Sequence, residues 1–189
     1  MIFKKKSKAF DLQRTIEKCK KRDSTAQRSL FDHYAGFAKT ICLRYAANDF
    51  EAEEMMSDGF LKVFQHIDKY KEESPFEGWF RRIMVNAAID YFRKYHARLE
   101  LLSIDQVPDV QNEVETISLL SKEEIMAFVQ RLSPAYRVVF SMSVVDGYSH
   151  TEIAASLECT ESAVRANLAK ARAKLKQWIT EYLERQPHL

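Results

Sequence analysis

The chain is short of the residues that make turns and crosslinks. Its 189 residues hold four Gly, four Pro and three Cys. So little Gly and Pro argues against a turn-rich β-sandwich or barrel, and against a glycine-cradled phosphate site. Cys19, Cys42 and Cys159 are odd in number and far apart. That excludes a disulfide framework and a zinc spacing, and a reducing cytoplasm is the expected compartment. No apolar run approaches the length of about 18 residues that a membrane span needs, so no stable membrane insertion is expected. The basic N-terminus (Lys4, Lys5, Lys6, Lys8) is not followed by the apolar stretch of a secretory signal. His33, His66, His96, His150 and His188 are scattered, with no ligand-like spacing to Cys or carboxylates. Neither a metal, nor a cofactor, nor an enzyme's catalytic set is expected.

What is present is the balance of a globular protein, 46% apolar and 30% charged. A net charge of +2 hides an uneven distribution. Residues 1–22 carry nine basic and two acidic side chains, and residues 97–124 carry two and seven. Arg165, Lys170, Arg172, Lys174 and Lys176 form a stripe with no acid among them. Such a stripe is an electrostatic footprint for nucleic acid or a solvated helix face.

No convincing strand is found, and helix signals recur along the chain. Ser24 to Gln27 reads as a capping box with Ser24 as N-cap. Asn48 or Asp49 then caps a helix with an acidic first turn. Its stripe is Ala52, Met55, Met56, Gly59, Phe60, Val63, Phe64 and Ile67, the period of one buried face. The opposite face carries Glu54, Asp58, Leu61 and Gln65, where Leu61 is a large apolar residue among polar ones. Ser74-Pro75-Phe76-Glu77 reads as a capping box with Pro at the first helical position. Trp79, Phe80, Ile83, Met84, Ala87 and Ala88 follow on one side, with Arg82, Asn86 and Arg93 on the other. Periodicity then fades through an acidic segment containing Pro108. The reading is a basic leader over residues 1–22, a helical domain over 23–97, a linker over 98–120 and a second helical domain over 121–189. The fold class is all-α.

In the second domain, Ser121 to Glu124 and Ser149 to Glu152 are capping boxes, and Thr160 caps a long last helix. From Ser149 to Lys176 a short helix, a break at Glu158-Cys159 and a long helix have the spacing of a helix-turn-helix. Ala154 is small where the two helices cross, and Val164 plugs back into the first. The outward face of the second helix is Ser162, Arg165, Ala166, Ala169 and Arg172, so the basic stripe lies where base edges and phosphates would be.

These segments carry a family resemblance. GYSHTEIAASLECTESAVRANLAKARAKLKQWI resembles region 4 of bacterial RNA polymerase sigma factors. EAEEMMSDGFLKVFQHI resembles their region 2.2, and SPFEGWFRRIMVNAAIDYFRK resembles regions 2.3 and 2.4. Order and spacing are similar to the extracytoplasmic-function group, which keeps only regions 2 and 4. The resemblance implies that Glu54, Asp58, Leu61 and Gln65 dock on the coiled coil of the polymerase's largest subunit, with the flap as a further polymerase contact. It implies that Lys69, Tyr70, Lys71, Trp79, Arg82, Asn86 and Arg93 serve the −10 element and strand opening. Cations suit the phosphates of a melted strand, and aromatics and amides suit its unstacked bases. It implies that Ser162, Arg165, Asn167, Lys170 and Arg172 serve the −35 element. Promoter DNA, core RNA polymerase and an anti-sigma factor are the partners it implies. Alanines at 166 and 169 leave Arg165 as the main base reader. The alternatives are an autonomous helix-turn-helix regulator, with residues 1–97 as a dimerisation or ligand domain, and a helical interaction adaptor.

Overall fold

A computed structural model describes residues 10–96 and 120–185. Among them the chain is all-α, with no strand, in two helical bundles. The first holds α1 (Leu12–Lys20), α2 (Ser24–Cys42), α3 (Asp49–His66), a 3₁₀ turn (Ile67–Lys69) and α4 (Phe76–Tyr95). The second holds α5 (Lys122–Arg131), α6 (Pro134–Phe140), a π-helical segment (Ser141–Val145), α7 (His150–Leu157) and α8 (Glu161–Glu184). The expected linker lies outside the described residues, except for Leu120. No helix among the described residues is long and apolar enough to cross a membrane.

Part of the basic leader is a helix that packs. Asp11 caps α1 by accepting from the Arg14 amide at 3.1 Å, and Ile16 and Cys19 are buried. The helix is short, so this apolar contact, more than intrinsic propensity, holds it. Two caps differ from expectation. Asp23, not Ser24, caps α2, its carboxylate accepting from the Ala26 amide at 2.8 Å. Pro75 is itself the N-cap of α4 and no side chain caps that end, so the expected box at Ser74 does not form. Asn48 caps α3, and the boxes at Ser121 and Ser149 and the cap at Thr160 all form.

The first bundle is built on aromatic rings. Phe80 is fully buried, with Tyr34, Phe60 and Phe76 rings 5.1, 5.4 and 5.9 Å away. Tilted and edge-on pairs of this kind add to the burial of large apolar area. Helices α3 and α4 approach closely at Gly59, where a Cβ would stand 2.4 Å from Met84 Sδ. A side chain at this position would have to displace the end of the Met84 side chain, whereas nothing in the backbone of Gly59 itself calls for glycine.

In the second bundle, Ile153, Ala154, Leu157, Val164 and Leu168 bury the crossing of α7 and α8. Glu158 takes a left-handed φ of 55° in the turn between them, a conformation usually left to glycine. The Cys159 amide closes that turn on the Ala154 carbonyl at 3.0 Å. Farther along α8, Ala171, Leu175 and Ile179 pack on Phe128 of α5 and on Leu132 just after it. The two bundles are in contact, with α4 against α6 and α7, and one apolar core runs through both.

Candidate protein and nucleic-acid interfaces

Three exposed faces stand on this scaffold. The first is on α3. Asn48 starts that helix and its apolar stripe turns Met55, Phe60 and Val63 inward. Glu54, Asp58, Leu61 and Gln65 therefore fall together on the outside, at steps of four, three and four, and all four are exposed. Leu61 is 58% exposed. Beside them Phe50, 68% exposed, and Tyr95 line a cleft of about 360 Å³ with Glu53, Glu54, Ser57, Asp58, Tyr91 and Lys94. Burial, and then hydrogen bonding to Glu54, pushes the Tyr91 hydroxyl up to about 12. Sequence reasoning missed Phe50 and Tyr95. Phe50 breaks the apolar period of its helix, which is the signal that could have found it, whereas Tyr95 continues the period of α4 into its exposed last turn.

The second face lies on the turn before α4 and along α4 itself. Lys69 and Lys71 are exposed, as are Arg82, Asn86 and Arg93, which follow one another along the helix at steps of four and seven. Trp79 is half-buried, its ring 5.5 Å from both Tyr70 and Phe76. Tyr70 does not join this face. It is buried, its ring stands edge-on to Phe76, and its hydroxyl donates to the Ser74 carbonyl at 2.7 Å. That hydrogen bond and the ring contacts close the turn and leave no face for a base. Arg82 and Asn86 also line a cleft of about 580 Å³ between the bundles, shared with Gly78, Arg81, Val85, Asp146, Gly147, Tyr148 and Glu152. Arg93 pairs with Glu158 in the turn between α7 and α8.

The third face is on α8. Ser162, Arg165 and Arg172 are exposed, and Ala166, Ala169 and Lys170 are half-buried. Arg165 also stands 3.5 Å from Glu161, one turn back. Asn167 is on the wrong side for this face. It is 4% exposed, and its Nδ2 donates to the Ala163 carbonyl at 2.9 Å. It sits three residues after Val164 and four before Ala171, both buried, so helical spacing alone places it inward.

The first two faces suit a protein surface and an unpaired strand, and the third suits a major groove. The Sigma-70 region 2 family model matches residues 30–98, and the Sigma-70 region 4 model matches residues 122–175. The ECF RNA polymerase sigma factor SigE of Mycolicibacterium smegmatis is 27% identical over 147 residues, 75% of this chain and 57% of that protein. SigW of Bacillus subtilis is 24% identical over 182 residues, 90% of this chain and 97% of that protein. A solved structure of the sigma factor RpoE from Bartonella quintana, in complex with the anti-sigma factor NepR, aligns with a TM-score of 0.49 at 16% identity. That alignment covers 81% of this chain and 96% of the solved one.

Proposed function

Given that the chain belongs to the extracytoplasmic-function sigma factors, which direct RNA polymerase to promoters, we propose how its faces divide that work. The α3 face, Glu54, Asp58, Leu61 and Gln65, docks on core polymerase, with the cleft at Phe50 and Tyr95 as its margin. Leu61 carries this reading. A large apolar side chain, 58% exposed between acidic and amide neighbours, fits the apolar centre of a protein contact with a polar rim. An anti-sigma factor covering the same side chains would compete directly with polymerase.

The exposed cations Lys69, Lys71, Arg82 and Arg93 meet the phosphates of the opened −10 strand. Trp79 offers a ring edge for stacking and Asn86 an amide for a base edge. On α8, Arg165 reads a base in the −35 element, and Ser162, Lys170 and Arg172 hold the phosphates. Base recognition and strand capture by binding are the whole of the chemistry, and no covalent step is assigned to the chain. These surfaces belong to a protein that works inside the cytoplasm.

Asp58→Arg and Leu61→Glu test the docking face. Both positions are exposed, so stability should change by about half a kcal/mol or less. Affinity for core polymerase, read by competition with the unmodified chain, should fall for both, through inverted charge and a desolvated carboxylate. Unchanged affinity with an unchanged circular dichroism spectrum contradicts the assignment, and promoter-specific binding of duplex by the chain alone favours an autonomous regulator.

A further inference from the structure

Arg165 is not placed by its own helix alone. Glu161 is the first residue of α8, and its carboxylate divides between two partners. Oε1 accepts from Thr151 Oγ1 at 2.9 Å, and Oε2 stands 3.5 Å from Arg165 Nη1. Thr151 lies in the first turn of α7, ten residues earlier in sequence. The series Thr151, Glu161, Arg165 therefore crosses from one helix of the helix-turn-helix to the other. An acid in the first turn of a helix is favoured by the helix dipole. That accounts for the charge of Glu161 but not for the hydroxyl that aims it.

These three side chains add little to the fold. Ile153, Leu157, Val164 and Leu168 already bury the crossing of the two helices. The Arg165 and Glu161 side chains are 58% and 45% exposed. An ion pair this open is screened by water and contributes little to stability. A major groove changes that balance. Duplex closing over the pair removes water, and the same charges then interact more strongly. The effect appears on binding DNA rather than on folding.

An exposed arginine has two kinds of target on a duplex, base edges and phosphates, and phosphate contacts carry no sequence information. A guanidinium held at one edge by a carboxylate presents its remaining N–H groups as a fork. That fork matches the O6 and N7 acceptors of guanine. The Glu161 charge also repels the flanking phosphates, which biases Arg165 towards the bases. Thr151 sets the direction of the carboxylate. Without its hydroxyl, Oε1 loses that hydrogen bond and the carboxylate can turn away from Arg165.

We propose that Thr151 and Glu161 are positioning residues that set how sharply Arg165 discriminates bases at the −35 element. Thr151 aims the carboxylate, and the carboxylate holds the guanidinium towards a guanine and away from the phosphates. The inference rests on the assignment of Arg165 made above, and the test separates the two.

The test uses holoenzyme and two fluorescent promoter duplexes, one with the preferred −35 element and one with that element scrambled. The quantity read is the ratio of the two affinities. Thr151→Val removes the hydroxyl and keeps the shape, and Glu161→Gln removes the charge. Each should lower the ratio by about fivefold, within the usual coupling of contacting side chains. Thr151→Ser, which keeps the hydroxyl, should preserve it. Part of the fall should come from tighter binding of the scrambled duplex, with a salt slope steeper by about one as the released arginine takes a phosphate. In an Arg165→Ala background neither substitution should lower the ratio further. Denaturation midpoints of the full-length variants should match the wild type. An unchanged ratio in Thr151→Val and Glu161→Gln overturns the proposal. So does a fall that persists in the Arg165→Ala background, where Glu161 would act on DNA by itself, or one that comes with lost stability. A ratio that Arg165→Ala alone leaves unchanged overturns the assignment of Arg165, and the positioning with it.

Discussion

In the first bundle, the residues of α4 proposed to meet the strand stand against the second bundle, with Arg93 paired to Glu158 and Asn86 in a shared cleft. In the second bundle, Ser162, Arg165 and Arg172 stand exposed on α8. On the proposed assignment the two faces meet DNA in different states. A duplex groove is present before initiation, so the helix that reads it gains from being preformed and open. An unpaired strand exists only after melting, so the helix that takes it can be stored covered. The cores differ as well. Clustered rings brace α4 from behind, while aliphatic side chains set the crossing of α7 and α8.

The largest effect should come from breaking the aromatic brace. Phe80→Ala removes a fully buried ring and should cost about 3–5 kcal/mol, read from chemical denaturation. Because one apolar core runs through both bundles, helicity and tryptophan fluorescence should be lost together, in one transition. Separate transitions would show that the bundles fold as independent units.

Next in size is base readout on α8. Arg165→Ala should cost about 1–3 kcal/mol on the preferred −35 duplex and little on a scrambled one. Lys170→Ala should weaken both alike and lower the salt slope by about one. Equal losses for Arg165→Ala on the two duplexes would make α8 a phosphate clamp without base readout.

How much of this was legible before the structure depends on how far apart the partners lie in sequence. The α3 and α4 faces were legible because each is a departure from the period of its own helix, and Leu61 and Asn86 need no distant neighbour to be placed. Glu158 was legible as the turn residue for the same reason. Helix α1 was not, because few apolar residues, Leu12, Ile16 and Cys19, turn inward in a segment rich in Lys and Arg. Asn167 was misplaced although spacing was sufficient, since the family resemblance supplied it while the outward face read from spacing left it out. Tyr70 was misplaced because the turn that buries it depends on Phe76 and Trp79 folding back across it. The hydrogen bond from Tyr45 to Asp146 was beyond local reasoning, since 101 residues separate the two.

The smaller test concerns that misplaced amide. Asn167→Ala should lower stability by about 1 kcal/mol, the size of one hydrogen bond. The preference for the −35 duplex and the salt slope should stay unchanged in fluorescence anisotropy. A selective loss on the preferred duplex would put Asn167 back among the base readers.

On the proposed division of labour, α4 acts on opened DNA and α8 on closed duplex. Run-off transcription by holoenzymes carrying Asn86→Ala or Arg165→Ala tests it most directly, on a normal promoter and on one with a pre-formed bubble over the −10 element. The bubble should rescue Asn86→Ala, whose defect lies in opening, and leave the Arg165→Ala defect in place. Rescue of both, or an Asn86→Ala deficit that persists on the bubble, would contradict it.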